Sequence, residues 1–179
     1  TTQCYDPKKR KWAYPLLEAM GIPTQIFGEI VSAGTYLGKV TKQLSEELNT
    51  QASVVAPACH DTGSAAAAVP STHDDIVWIS SGTWSILGTN VKSPIINEQS
   101  LAYNFTNEGG VGNTFRLSKN ITGLWLVQEC RRAWALEGKE YSYTELTELA
   151  ASAVPHLCFV DPDSPDFLHP GEMPERIVN

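Results

Sequence analysis

Residues 53–88 limit the folds open to this chain more than any other stretch, because apolar, small and β-branched runs follow one another there within a short span. Residues 53–58 predict a short buried strand, closed at its far end by Pro57, which cannot donate to a sheet ladder. Residues 62–69 predict an alanine-rich helix with so little side-chain bulk that another backbone or a ligand can approach it closely. Residues 76–79 and 84–87 predict a hairpin tipped by Ser80-Ser81-Gly82-Thr83, with Gly82 free to take a positive φ.

Asp61 stands at the N-cap or N′ position of the alanine-rich helix, where Asp is common for structural reasons alone. Its neighbourhood points further: His60 precedes it, and a hydroxyl- and Gly-rich turn follows downstream. A carboxylate at a helix N-terminus stays ionised at neutral pH, because the positive helix end and the backbone N–H groups favour the anion. Such a group is a weak base, which suits phosphoryl transfer. There the alcohol's proton leaves as the phosphoryl group arrives, and positioning outweighs basicity. The Gly82-Thr83 turn can hold phosphate through its backbone N–H groups.

The remaining chain reads as support. Residues 15–20 predict a helix stopped by Gly21, 22–38 an irregular connection, and 42–48 an amphipathic helix with Leu44 and Leu48 on one face. A second hairpin is predicted from 101–106 and 114–117 around the glycine-rich turn 109–113. Residues 122–136 predict the clearest helix, capped by Thr122, followed by another over 144–153 and an ordered loop over 159–179. Residues 70–75 form a polar break where a domain boundary is expected; His73, Asp74 and Asp75 are adjacent and predict a solvated loop rather than a metal site. Asp161, Asp163 and Asp166 lack the Gly and Glu of a calcium loop.

Bulk properties exclude several classes. A formal charge of -7 argues against a nucleic-acid partner, and no apolar run approaches the roughly 20 residues needed to span a membrane. Cys4, Cys59, Cys130 and Cys158 have neither zinc nor disulfide spacing, and Cys59 is expected as a small buried residue at a strand end. With no signal peptide and no initiator Met, the expectation is a piece of a longer cytoplasmic protein.

The motifs His60-Asp61-Thr62, Ser80-Ser81-Gly82-Thr83-Trp84-Ser85, 104–110 and 119–132 closely resemble the rhamnulokinases, of the FGGY family of carbohydrate kinases. Thr1-Thr2-Gln3, Asp161-Pro162-Asp163 and 167–171 look similar too, so the likeness covers nearly the whole chain. The resemblance implies an α/β chain of the actin-like, ribonuclease H-like ATPase fold. Residues 1–74 would end the first lobe and carry the catalytic Asp; residues 75–179 would open the second and carry a phosphate loop. It implies ATP-dependent phosphorylation of L-rhamnulose at its 1-hydroxyl, with Mg2+ held largely by ATP phosphates and water.

By the same resemblance Asp61 matches the proton acceptor, and His60, Asp61, Thr62 and Asn120 match sugar contacts. Gly82, Thr83 and Gln128 match nucleotide contacts. Asn120 and Gln128 are eight apart, about two turns, and would share a side if the helix began by Asn120. Family members are far longer, so the given chain alone is expected to lack a complete ATP site and to be nearly inactive. Alternative readings are a kinase for another ketose or polyol, a non-catalytic sugar- or partner-binding protein, and a structural interaction domain.

Overall fold

Local signals set most element ends in the computed structural model, which describes residues 2–73 and 75–179. Asp74, part of the predicted polar break, and Thr1 lie outside the described residues. The chain forms two compact units, Thr1–Trp78 with Gly88–Lys119, and Ile79–Leu87 with Asn120–Asn179.

In the first unit, β1 (Tyr5–Asp6) pairs antiparallel with β2 (Lys11–Trp12). The Asp6 carboxylate accepts the N–H groups of Lys8 and Lys9 and closes the turn between them. Helix α1 (Tyr14–Ala19) ends at Gly21, φ +68°: Gly21 N–H donates to Glu18 O, and Ile22 N–H to Leu17 O. This is a Schellman cap, which needs the left-handed conformation that glycine adopts without strain.

Residues 22–38 are more ordered than predicted. They contain a 3-10 turn at Thr24–Ile26 and the start of β3 (Tyr36–Lys39), which pairs antiparallel with β4 (Ser53–Val55). Helix α2 (Lys42–Glu47) connects the two strands, with Thr41 accepting Leu44 N–H as its cap. The expectation of a buried strand at 53–58 is corrected, since Val54 and Val55 are exposed and only Ala56 beyond them is buried. Apolar runs declare a strand, but a two-stranded ribbon leaves its β-branched side chains in solvent unless a further layer covers them. Leu44 and Leu48 are likewise exposed. Helix α3 spans Asp61–Ala67, starting one residue and ending two residues earlier than predicted.

A four-stranded sheet of β5 (Val77–Ser80), β6 (Trp84–Val91), β7 (Thr106–Gly109) and β8 (Phe115–Thr122) has the order β5-β6-β8-β7. Strands β7 and β8 are antiparallel, with Glu108 directly opposite Arg116. The predicted strand over 101–106 is corrected: of these residues only Thr106 lies in a strand, β7, and Leu101 lies in helix α4 (Glu98–Ala102). The cause is a capping box, in which Asn97 Oδ1 accepts Ser100 N–H at 2.7 Å and Ser100 Oγ accepts Asn97 N–H at 3.0 Å.

Gly88 in β6 is demanded by packing. A Cβ there would lie 2.6 Å from the indole of buried Trp78 and 3.0 Å from Ser118 Cβ. Gly88→Ala therefore lowers stability by about 1–3 kcal/mol, the usual cost of overpacking. Thermal or urea unfolding reads this directly, and an unchanged midpoint would mean that the indole swings aside.

In the second unit, α5 spans Trp125–Leu136 with Leu124 as N-cap; α6 (Tyr143–Ser152) follows, then a 3-10 turn at Pro165–Phe167 and α7 (Met173–Val178). Thr122 is not the cap of α5 but the buried last residue of β8. The tail is not merely a loop either: Phe167 and Met173 join Cys130 in the core, packed by Trp125, Leu126, Trp134, Val160 and Ile177. Pro165 and Pro174 sit early in their helical turns, where a missing N–H costs nothing. At α6, Ser142 N–H and hydroxyl both donate to Glu145, holding its carboxyl below the usual range. The sign follows: a depressed folded-state pKa makes this cap effective at neutral pH and weakens it as pH falls through the carboxylate range.

All four cysteines are free. Cys59 is exposed, contrary to the buried position expected of it, whereas Cys130 is buried. Burial first, and the Glu129 carboxylate second, push the Cys130 thiol up. Among the described residues no helix is long and apolar enough to cross a membrane, and no group of three or more His, Cys, Asp or Glu could hold a metal ion.

Candidate active site

Chain entering α3 from the buried Ala56 carries His60 into extended geometry, φ -79° and ψ 128°, as the N-cap. Its carbonyl accepts Gly63 N–H at 2.7 Å and Ser64 N–H at 3.2 Å, which starts the helix. Asp61 is therefore the first helical residue rather than the N-cap or N′ residue expected, and its Oδ1 accepts Thr62 N–H at 2.8 Å. The Asp61 side chain is 96% exposed, so its carboxylate is open to a ligand. Thr62 is buried and serves the helix's packed side.

Under this helix start lies a charged pair that sequence reasoning missed. The Arg116 side chain is only 4% exposed; its Nη2 donates to Glu108 Oε2 and lies 3.3 Å from His60 Nδ1. The absent side chain of Gly63 makes room: a Cβ there would sit 3.2 Å from Arg116 Cζ and 3.1 Å from Ala58 Cβ. A cation near a helix N-terminus is electrostatically unfavourable, and Glu108 offsets it. Removing one member of such a buried pair typically costs about 3–5 kcal/mol. The available signal was register. Once a hairpin is assigned around residues 110–114, Glu108 and Arg116 face each other across it.

His60 sits over this pair. Its Nδ1 is 3.4 Å from Glu108 Oε2, and its Nε2 is 3.4 Å from Asp61 Oδ1. Nδ1 therefore has a donor, Arg116 Nη2, at 3.3 Å and an acceptor, Glu108 Oε2, at 3.4 Å, and the tautomer of the imidazole decides which of them it meets.

A second cluster lies in the other unit, around the turn between β5 and β6. Gly82 is not at positive φ as expected; its constraint is space, since a Cβ would lie 3.2 Å from Trp84 O. The turn's carbonyls face the start of α5: Thr83 O accepts Gly123 N–H at 3.2 Å and Trp125 N–H at 3.0 Å, and Gly82 O accepts Leu124 N–H at 2.9 Å. These leading N–H groups are thus satisfied within the protein. The Thr83 hydroxyl accepts from Gln128 Nε2 at 3.1 Å, which leaves its own proton to donate to an acceptor such as a phosphate oxygen.

Gln128 and Thr83 are brought together as one contact, and Gln128 orients the hydroxyl. Asn120 is not on α5 at all. It is an exposed residue of β8, so the helical spacing that would put it beside Gln128 does not operate. Sequence periodicity ran the helix too far toward its N-terminus, because 120–122 are polar and β-branched residues compatible with either state. A cleft of about 490 Å3 lined by Arg131, Ala135, Glu140, Tyr141 and Ser142 contains none of the candidate catalytic, sugar-contacting or nucleotide-contacting residues named from sequence.

The chain is 41% identical over 177 residues to a rhamnulokinase of Halalkalibacterium halodurans and 39% over 178 to one of Bacteroides thetaiotaomicron. It is 36% identical over 178 residues to a rhamnulokinase of Bacillus subtilis. Each match takes in 99% of this chain, which spans 37%, 36% and 36% of those relatives' lengths respectively. A ligand-bound xylulose kinase from Lactobacillus acidophilus superposes with a TM-score of 0.67 at 15% identity, over 86% of this chain and 30% of the other. That likeness shows the fold, the actin-like, ribonuclease H-like α/β class expected from sequence. Residues 77–179 match the C-terminal domain of the FGGY family of carbohydrate kinases, and the chain belongs to that family.

Proposed function

We propose that the protein containing this chain phosphorylates L-rhamnulose at its 1-hydroxyl with ATP, and that Asp61 is the base. The observation that carries the reading is the His60-Asp61-Thr62 helix start, with its carboxylate open to solvent, in a chain matched almost end to end by rhamnulokinases. In this reading the sugar oxygen attacks the γ-phosphorus and an O–P bond forms. The bridging P–O bond to ADP breaks, and the hydroxyl proton passes to Asp61. His60 and Asn120 hold the sugar, while Thr62, matched by the resemblance to a third contact, is buried on the packed side of the helix start. Thr83 donates its hydroxyl proton to a phosphate oxygen, with Gly82 shaping the turn and Gln128 orienting the hydroxyl or meeting the nucleotide.

Bound with the nucleotide, Mg2+ would supply neutralisation of phosphate charge. We assign it no protein ligand. Residues 1–74 are read as the end of the first lobe and 75–179 as the start of the second, a division supported by the family match beginning at residue 77. The proposed compartment is the cytoplasm.

The test is ADP release by the full-length protein with ATP, Mg2+ and a panel of ketoses and polyols. L-rhamnulose is expected to give a kcat/KM at least about tenfold above the next sugar, a difference of about 1.4 kcal/mol in transition-state binding. A better rate with another sugar would replace the substrate. Sugar binding by calorimetry without any product would replace catalysis by binding.

A further inference from the structure

Arg116 and Glu108 have no part in the chemistry proposed above, yet they are an ionic pair set under its helix start. Burying a guanidinium is unfavourable unless its partners repay the lost hydration. Its Nη2, a single permanently charged nitrogen with two N–H groups in a fixed plane, reaches both Glu108 and His60 Nδ1. Gly63 keeps the space this requires, because a Cβ there would press on the guanidinium carbon at 3.2 Å.

We propose that the Arg116–Glu108 pair is a positioning element for Asp61, acting through His60. This rests on the reading of Asp61 as the base. Arg116 donates to Nδ1 and leaves the imidazole proton on Nε2, the nitrogen 3.4 Å from Asp61 Oδ1. That oxygen also accepts Thr62 N–H and has His60 Nε2 within 3.4 Å, so Oδ2 is the oxygen presented to the sugar's proton. Glu108 anchors the guanidinium and neutralises it beside the positive end of α3. A carboxylate on a solvent-exposed helix start would otherwise sample several rotamers. Fixing one of them raises the fraction of molecules ready for proton transfer.

The test uses the full-length protein. Arg116→Lys keeps a cation for Glu108 but loses the fork. It is expected to lower kcat about tenfold or more while both KM values stay within about threefold, the signature of an effect confined to the transition state. His60→Gln removes the Nδ1 acceptor and lowers kcat similarly. The double variant is no worse than His60→Gln alone, because Arg116 acts through the imidazole. Multiplicative losses, or an unchanged kcat in Arg116→Lys, overturn the proposal.

Should the lysine variant not fold, 15N spectra of selectively labelled histidine in the unaltered protein decide. The His60 signal must show Nε2 protonated and Nδ1 bare, and the opposite tautomer overturns the proposal. Asp61→Asn separates the two layers. Full activity in that variant removes the base and this proposal together. An inactive Asp61→Asn beside multiplicative Arg116 and His60 losses removes the positioning role alone.

Discussion

Asp61→Asn is expected to lower kcat in the full-length protein by about 100- to 10,000-fold, the usual range for removing a positioned base. The fold should survive. Asn Oδ1 can accept Thr62 N–H as the carboxylate does, and the side chain is almost wholly exposed, so no packing is lost. What disappears is the ability to take the sugar's proton. KM for the sugar should move far less than kcat, because an amide of the same shape fills the same place. Steady-state kinetics with L-rhamnulose, together with a melting curve, check both halves. An active, folded variant would reduce Asp61 to a helix-start residue and remove the mechanism.

Gly123→Ala should be the most damaging change in the second cluster. A Cβ at this position would collide with Ser85 Oγ and Gly82 O, and would come within 3.0 Å of Ser85 N. Ser85 is buried and two of the obstacles are backbone atoms, so the turn between β5 and β6 must move. Moving it breaks the bonds from Gly123, Leu124 and Trp125 to the Gly82 and Thr83 carbonyls, and pulls Thr83 Oγ1 away from Gln128.

Overpacking of this kind costs about 1–3 kcal/mol, visible as a lowered unfolding midpoint. If the turn meets the nucleotide, KM for ATP rises well above its ordinary value while KM for the sugar changes little. Equal rises in both constants would assign the turn a purely structural role. Ser85→Gly in the same background relieves only the hydroxyl clash, so recovery should be partial, because Gly82 O and the residue 85 amide remain in the way.

Local chemistry made parts of the molecule legible from sequence. Gly21 ended α1 as a Schellman glycine must, because few other residues take that φ at low cost. The β-branched and aromatic runs at 76–79 and 84–87 declared strands, the second of which the structure continues to Val91, and His60-Asp61-Thr62 at the start of an alanine-rich run declared a helix start with an acid on it. The missed capping box at Asn97 was a local signal too, available but outweighed by the apolar residues after it.

Burial and long-range pairing were decided elsewhere. Val54 and Val55 are as apolar as any core residue, yet they face solvent, because nothing in a strand's own sequence states what will lie over it. The tail's Phe167 and Met173 became core by meeting α5, a contact across some 40 residues of chain that periodicity within the tail cannot show. Asn120 reads equally well as helix or strand, and pairing in the sheet chose the strand.

The site divides in the same way. The acid, its histidine and the Gly-Thr turn are a sequence property, since each depends on neighbours within a few residues. The guanidinium under His60 and the amide on Thr83 are a property of the tertiary structure. They come from positions 56 and 45 residues away, joined only when strand register and helix placement fix the geometry.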